Sequence, residues 1–370
     1  MLHIVAQRFP FPPRRGDQLA VSKMILFCQS RGIDYRLWVP PTRENKKRVD
    51  ESEFKGNCGE LTVSFVQFIR LLIVNPLMPF QSRLFSFFVI PDSSVAASDI
   101  IYVHTVRMIG SSYFLRNKKH LGAQIDLSAE FVERASAAVF PISWWYLVEA
   151  WLLSRQKRAL FPAFLSVFRV TENEFVDLEN SQRKRVNLVT NAHGFDAKRI
   201  RGKPVKLRSK RLKVGFWGNM KFTPNKLAVD DLLKWHRSST LDHDLLIFGV
   251  DSLGLNLPKS VICLGEVDDI DQAIRDVDVL VNLVSVGAGF QNKTIEAWAQ
   301  NIPVVGYRQA FRGLPNVGKL PILVQKPEDV NVAIKKLWRA PVEGKYSDWV
   351  RENWNQDKLI REKLSTMGYE

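Results

Sequence analysis

The residues best able to do chemistry lie close together: Gly287-Ala288-Gly289, Phe290, Gln291, Asn292, Lys293 and Glu296. Glycines let backbone N–H groups approach a ligand closely. The pattern after Gln291 is helical, and a helix start offers unpaired N–H groups and partial positive charge. Such a place suits a phosphate or diphosphate. Lys293, in the first turn, sets a cation against the helix dipole, and a nearby anion would explain it. Glu296 shares its face at i,i+3. A carboxylate there could accept hydrogen bonds from two ribose hydroxyls. The two residues could equally form a solvated pair worth about a few tenths of a kcal/mol. A dinucleotide loop fits less well: Asn292 stands where a third glycine belongs, and no acid follows about twenty residues on.

These groups need elements to hold them. Val279 to Val286 is an almost unbroken apolar run, and Ile302 to Val305 is a second one after the helical stretch. That order is strand, glycine loop, helix, strand, a βαβ unit. Neither strand alternates with polar residues, so both faces should be covered, as in a parallel sheet. Asp99 to Thr105 reads as another buried strand. It brings His104 to its C-terminal end, where open α/β sheets place ligand-binding residues. A lone histidine there could also be structural.

The stretch GAGFQNKTIEAWAQNIPVV resembles the donor-site signature of glycosyltransferase family 4. It is most similar to the bacterial branch with the motif G-x-G-x-x-N-K-x-x-E-A-x-A. Many members carry a further Glu eight positions before the second one. Ala288 stands there, so no role for a first carboxylate carries over. Residues 214–225 resemble the G-x-M-x-x-x-P-N element of the same branch, with Gly218, Met220, Pro224 and Asn225. Asn219 takes the place of an Arg that clamps the diphosphate in many members, and Lys221 could supply the charge instead. The loop before Gln18, with Gly16 between Arg15 and Asp17, resembles the N-terminal loop that lies over donor phosphates or acceptor. In the family a histidine near His104 approaches the donor sugar, and Arg107 or Asp126 could orient the acceptor.

The resemblance implies an α/β chain of GT-B fold, two Rossmann-like domains facing across a cleft. It implies retaining transfer of a sugar from a nucleotide-sugar to a lipid-linked or polysaccharide-precursor acceptor, with no metal or cofactor. Asp276-Val277-Asp278 has the D-x-D form of metal-binding transferases, but it enters a buried strand rather than leaving one. Expected domains are 1–197 and 213–344, with a basic linker at 198–212 and a helix pair at 345–370 crossing back. The linker region, Lys198 to Lys213, holds nine basic residues and no acid.

At 370 residues the chain can build two full cores. Its three cysteines show no metal spacing, which fits a reducing compartment. The net charge of +15 calls for an anionic partner: nucleic acid, anionic membrane or phosphorylated acceptor. No stacking or groove-reading motif supports nucleic acid, whose binding would fall steeply with salt. No secretory signal is read near the N-terminus, and no apolar run is clean enough to span a bilayer. A cytoplasmic protein, peripheral on the inner face of the membrane, is expected. Ile69 to Ile90, with only Arg70 and Arg83 charged, and the helical stretch with Trp144, Trp145 and Trp151 either fill cores or meet lipid. Arg43 to Lys55 reads as a surface loop and Leu61 to Phe68 as a strand. A nucleotide-sugar epimerase on the same fold is the rival enzyme, and it would turn over donor without acceptor.

Overall fold

The structure is a computed structural model. It describes residues 1–13, 16–136, 138–179, 186–192, 194–200, 211–287, 290–339 and 345–369. Gly289, Ala288, Arg15 and residues 201–210 of the expected linker lie outside that set. The chain divides into two units, Met1–His193 with Gln356–Glu370, and Gly194–Asn355.

The first unit is built on strands whose alternate residues feed two cores. In β1 (Leu2–Val5), Leu2 and Ile4 join one core and Val5 the other. In β2 (Tyr35–Val39), Leu37 and Trp38 divide in the same way. This two-sided burial is the reason the runs lack polar alternation. The remaining strands are β3 (Cys58–Glu60), a small antiparallel pair β4 (Thr62–Val63) and β5 (Phe88–Val89), β6 (Ile100–His104), β7 (Lys118–Gln124), β8 (Ser166–Arg169) and β9 (Leu188–Thr190). The main sheet runs β3-β2-β1-β6-β7-β8-β9, all parallel. The order reverses between β1 and β6, which is the switch point of a Rossmann-like sheet.

The second unit repeats the plan with β10 (Leu212–Trp217), β11 (His243–Phe248), β12 (Val261–Gly265), β13 (Val279–Asn282), β14 (Val304–Gly306) and β15 (Ile322–Leu323). Its order is β12-β11-β10-β13-β14-β15, again all parallel. The switch point lies between β10 and β13.

Local expectations fail in three places. Arg43–Asp50 is a helix, not a loop. Thr42 Oγ1 caps the amide of Asn45 at 3.2 Å, and Arg48 pairs with Glu44 one turn back. Only Thr62–Val63 of the expected strand is extended. Ser64 then caps helix Phe65–Val74 through the amide of Gln67, overriding the strand preference of the Val, Ile and Phe residues. The expected crossing at 345–370 begins later. Helix Lys345–Asn353 stays with the second unit, where Tyr346 and Trp349 pack on Trp298. Only helix Gln356–Met367 joins the first unit, adding Ile360, Leu364 and Met367 to the core of β1. The unit boundary falls at 193/194, four residues before the expected one.

Candidate active site

In the second unit, the chain leaves β10 at Gly218 and β13 at Leu283. These two exits flank the switch point, where ligands of open α/β sheets bind. Gly218 has φ +152°, a conformation L side chains rarely adopt. A Cβ there would lie 2.9 Å from Asn225 Nδ2 and 3.5 Å from Lys293 Nζ. The bare backbone of Gly218 thus leaves room beside the lysine.

Helix Asn292–Ala299 starts just past β13. Thr294 fixes it: its hydroxyl donates to Ala310 O at 2.8 Å and accepts from Asn282 Nδ2 at 3.2 Å. Gln291, at the cap position, makes no side-chain capping bond. The first-turn amides therefore lack the partner that a Ser, Thr or Asp would give. Lys293 is buried. Its ammonium donates to Asn225 Oδ1 at 2.6 Å and sits 4.2 Å above the Phe216 ring. Among the described residues no carboxylate lies within ion-pair distance of it. Burial lowers its pKa to about 7, with Glu296 acting weakly the other way.

Glu296 sits one turn on, and Trp217 donates its indole N–H to Glu296 Oε2 at 2.7 Å. Burial raises the carboxyl pKa, opposed by that hydrogen bond, by Arg199 and by Lys293. Arg199 itself is clamped in bidentate fashion to Asp271 at 2.6 and 2.9 Å. The carbonyl of Gly287 accepts from Gln309 and, at 3.1 Å, from Arg312. The arrangement joins first-turn amides without a side-chain cap, a buried lysine and a carboxylate engaged at one oxygen, all at one sheet edge. It can hold a diphosphate at one end and a diol at the other.

The expected donor residues meet different fates. Gly218 and Lys293 are brought together, and Glu296 lies on the same helix. Gly287 and Gln291 border them. Asn219 turns its side chain to cap the amide of Lys221 at 2.9 Å, while the Lys221 side chain is exposed. Phe290 packs edge-on against Trp354, 5.1 Å between centroids, and Asn292 is exposed. Gly289 lies outside the described residues. Trp217 and Asn225 went unassigned as partners. The signal was a tryptophan at a strand end, since a buried indole N–H needs an acceptor. In the D-x-D sequence, Asp278 accepts from the amide of Lys213 at 2.8 Å, a local tie within the sheet.

In the first unit, His104 is buried at the end of β6. Its Nδ1 lies 3.2 Å from the Tyr102 hydroxyl, and its Nε2 has no protein partner among the described residues. Burial, helped by Lys363, lowers its pKa to about 4, so the ring is neutral at neutral pH. Thr105, next in sequence, holds φ +85°, strained for a β-branched residue. Arg107 follows, and glutamines rather than carboxylates hold it: Gln81 at 2.7 Å and Gln7 at 3.4 Å. Lys363 was missed. It lies among the buried positions 360, 363, 364 and 367 of its helix, over the rings of Tyr102 and Phe168. A lysine on an apolar helix face was the available signal. Gly16 is the exposed first residue of helix Gly16–Ser30.

Asp126 is committed elsewhere. Its carboxylate binds Lys157 Nζ at 2.6 Å and both the amide and hydroxyl of Ser128. A carboxylate with its lone pairs so engaged ties two helices together and has little left for an acceptor.

Residues 211–340 match the family described as Glycosyl transferases group 1. No curated protein matches the chain. Among solved structures, sucrose-phosphate synthase from Thermosynechococcus elongatus aligns with a TM-score of 0.69 at 14% identity, over 99% of this chain and 98% of that one. HepE of Anabaena, crystallised with UDP and glucose, aligns with a TM-score of 0.64 at 13% identity over the whole of both chains. The trehalose-6-phosphate synthase OtsA gives 0.62 at 12% identity, over 100% of this chain and 99% of that one. At such identities the likeness speaks for the fold, and the fold is GT-B. The chain is similar in fold to these proteins, and its residues 211–340 are similar to the group 1 glycosyl transferases.

Proposed function

We propose that this chain is a retaining glycosyltransferase. It moves a sugar, expected to be a hexose, from a uridine-type nucleotide-sugar to a lipid-linked or polysaccharide-precursor acceptor. It works in the cytoplasm, peripheral on the inner face of the membrane, and calls on no metal or cofactor. The observation that carries the reading is Lys293: a buried cation with no carboxylate in ion-pair distance among the described residues, in the first turn of a helix without a side-chain cap, beside the bare backbone of Gly218. HepE, whose crystals hold UDP and glucose, supports the uridine nucleotide.

In this mechanism the first-turn amides and Lys293 receive the diphosphate. As the bond from the sugar to the diphosphate breaks, its electron pair stays with the leaving phosphate oxygen. Fixed donors already aimed there stabilise that charge without reorganising. The free oxygen of Glu296 holds the ribose, while Trp217 fixes its orientation. By family resemblance, the neutral His104 is the residue expected to approach the sugar, and Arg107 the one expected to orient the acceptor. The test is to incubate the protein with a panel of nucleotide-sugars, with and without a lipid-linked glycan acceptor, and follow nucleoside diphosphate by chromatography. Release that depends on acceptor, with the donor's anomeric configuration kept in the product, supports the reading. Conversion of donor to an epimer without acceptor contradicts it.

A further inference from the structure

We infer that one face of the first unit docks on an anionic phospholipid bilayer. The inference rests on the proposed function for its lipid-linked acceptor and its place on the membrane. Vesicle binding involves no sugar transfer, so failure of docking and failure of the transfer reading are distinguishable.

Helix Phe65–Val74 buries Phe68 and Leu71 and turns Phe65, Val66, Ile69 and Ile73 outward, with Ile73 77% exposed. These outward positions fall at i, i+1, i+4 and i+8, one continuous helical stripe. The chain continues through exposed Leu77, Phe80 and Leu84. The Phe80 ring then lies 6.3 Å from that of Trp145, on helix Ile142–Leu160. That helix exposes Trp144, Leu147 and Trp151, preceded by Phe140 at 80% exposure. Scattered apolar residues need no explanation, but a joined patch of this kind marks an interaction site.

Charge decides what covers it. No acid occurs between Glu60 and Asp92. Between Glu133 and Glu172 the one acid is Glu149. Glu149 is fully buried and accepts the amides of Phe80 and Gln81, each at 3.0 Å. It stitches the two segments together from beneath and shows the surface no negative charge. Arg70, Arg83, Arg155 and Arg158 are exposed, with no carboxylate partner among the described residues. Arg83 and Arg155 lie over the rings of Phe80 and Trp151 at 5.3 and 5.2 Å. A second copy of this chain would bring like charges together in a two-fold contact. An anionic lipid surface pairs its phosphates with the arginines and its acyl chains with the aromatic stripe. No helix among the described residues is long and apolar enough to cross a membrane, so the face lies on the bilayer.

The experiment is co-sedimentation of the full chain with vesicles of phosphatidylcholine alone, or with added phosphatidylglycerol. Wild type should pellet with the anionic vesicles, and brominated lipid should quench its tryptophan emission. The surface variant Ile73→Ser/Phe140→Ser/Trp144→Ser/Trp151→Ser should bind at least about tenfold more weakly with an unchanged melting temperature. Arg83→Gln/Arg155→Gln/Arg158→Gln should lose the preference for anionic vesicles. Wild type that stays in solution without quenching overturns the inference. So do variants that pellet like wild type, and so does a dimer that the surface variant abolishes while lipid binding is absent.

Discussion

Glu296 is held at one oxygen only. The indole N–H of Trp217 reaches Oε2 at 2.7 Å, and Oε1 meets no protein donor among the described residues. A carboxylate fixed in orientation with one oxygen open can accept hydrogen bonds from a vicinal diol. Trp217 in turn stacks on Phe248 of the neighbouring strand, 5.6 Å between centroids, so the donor is itself braced.

Removing that carboxylate should cost donor binding. Glu296→Ala is expected to weaken a uridine nucleotide-sugar about tenfold, near 1.4 kcal/mol, as for a hydrogen bond to a charged group. In wild type a 2′,3′-dideoxy donor should lose a similar factor. In Glu296→Ala it should lose little more, because the partner is already gone. Calorimetric titration of the four combinations checks this, and additive losses would remove Glu296 from the ribose.

Gly218→Ala should act on the lysine indirectly. The new methyl would meet Asn225 Nδ2 at 2.9 Å from a backbone at φ +152°. Strain of this kind costs roughly 1–3 kcal/mol. It would also displace the residue that Lys293 binds. Donor affinity should fall about tenfold or more, together with the melting temperature. Unchanged affinity in the titration would mean that the donor does not approach Gly218.

Asp126 is expected to matter for stability rather than for transfer. Asp126→Ala leaves Lys157 with the Ser128 hydroxyl and, as its carboxylate partner among the described residues, the half-exposed Asp177. Breaking a buried pair by removing one partner costs about 3–5 kcal/mol. Thermal melting should show a clear drop, while donor affinity in the surviving folded fraction stays as in wild type. A variant that melts normally but loses acceptor turnover would restore the role implied by family resemblance.

The histidines of the first unit set a pH dependence. Burial lowers His104 and His120 to about 4 from 6.5, and His3 is lowered too. The unfolded chain then takes up protons that the folded chain does not. Stability is full above about 6.5 and falls as pH drops toward 4. Melting curves across that range should decline in wild type. The decline should be shallower in His104→Gln/His120→Gln, and an equal slope would show that these rings are not the buried neutral groups described.

Much of the second unit was legible because its signals are local. The unbroken run at β13, the glycine loop and the Lys293–Glu296 spacing each follow from a few adjacent residues. The partners were not legible. Trp217 and Asn225 reach Lys293 and Glu296 from about seventy to eighty residues away in sequence, a separation that no periodicity encodes. Strand β7 was missed because Lys118, Lys119 and His120 disguise it. Lys119 is buried there, and its ammonium reaches Tyr113 O at 2.5 Å. Asp126 came from family resemblance, and nothing adjacent in the sequence marks its partner, Lys157, 31 residues away. The helix at Arg43–Asp50 was hidden by its own charge, which stabilises it through turn-to-turn pairs rather than an apolar face.

The most direct test of the donor site is calorimetric titration of UDP-glucose into wild type and Lys293→Met between pH 6 and 9. The diphosphate of such a sugar ester keeps its charge across that range, whereas burial holds the Lys293 pKa down at about 7. Wild type should bind with proton uptake, and its affinity should fall about tenfold per pH unit above 7 until the bound pKa is reached. Lys293→Met should bind at least about a hundredfold more weakly and show no such pH dependence. It should also melt higher without donor, because a buried unpaired cation is gone. Equal affinity in the two proteins, or the same pH profile in both, would contradict a diphosphate site at Lys293.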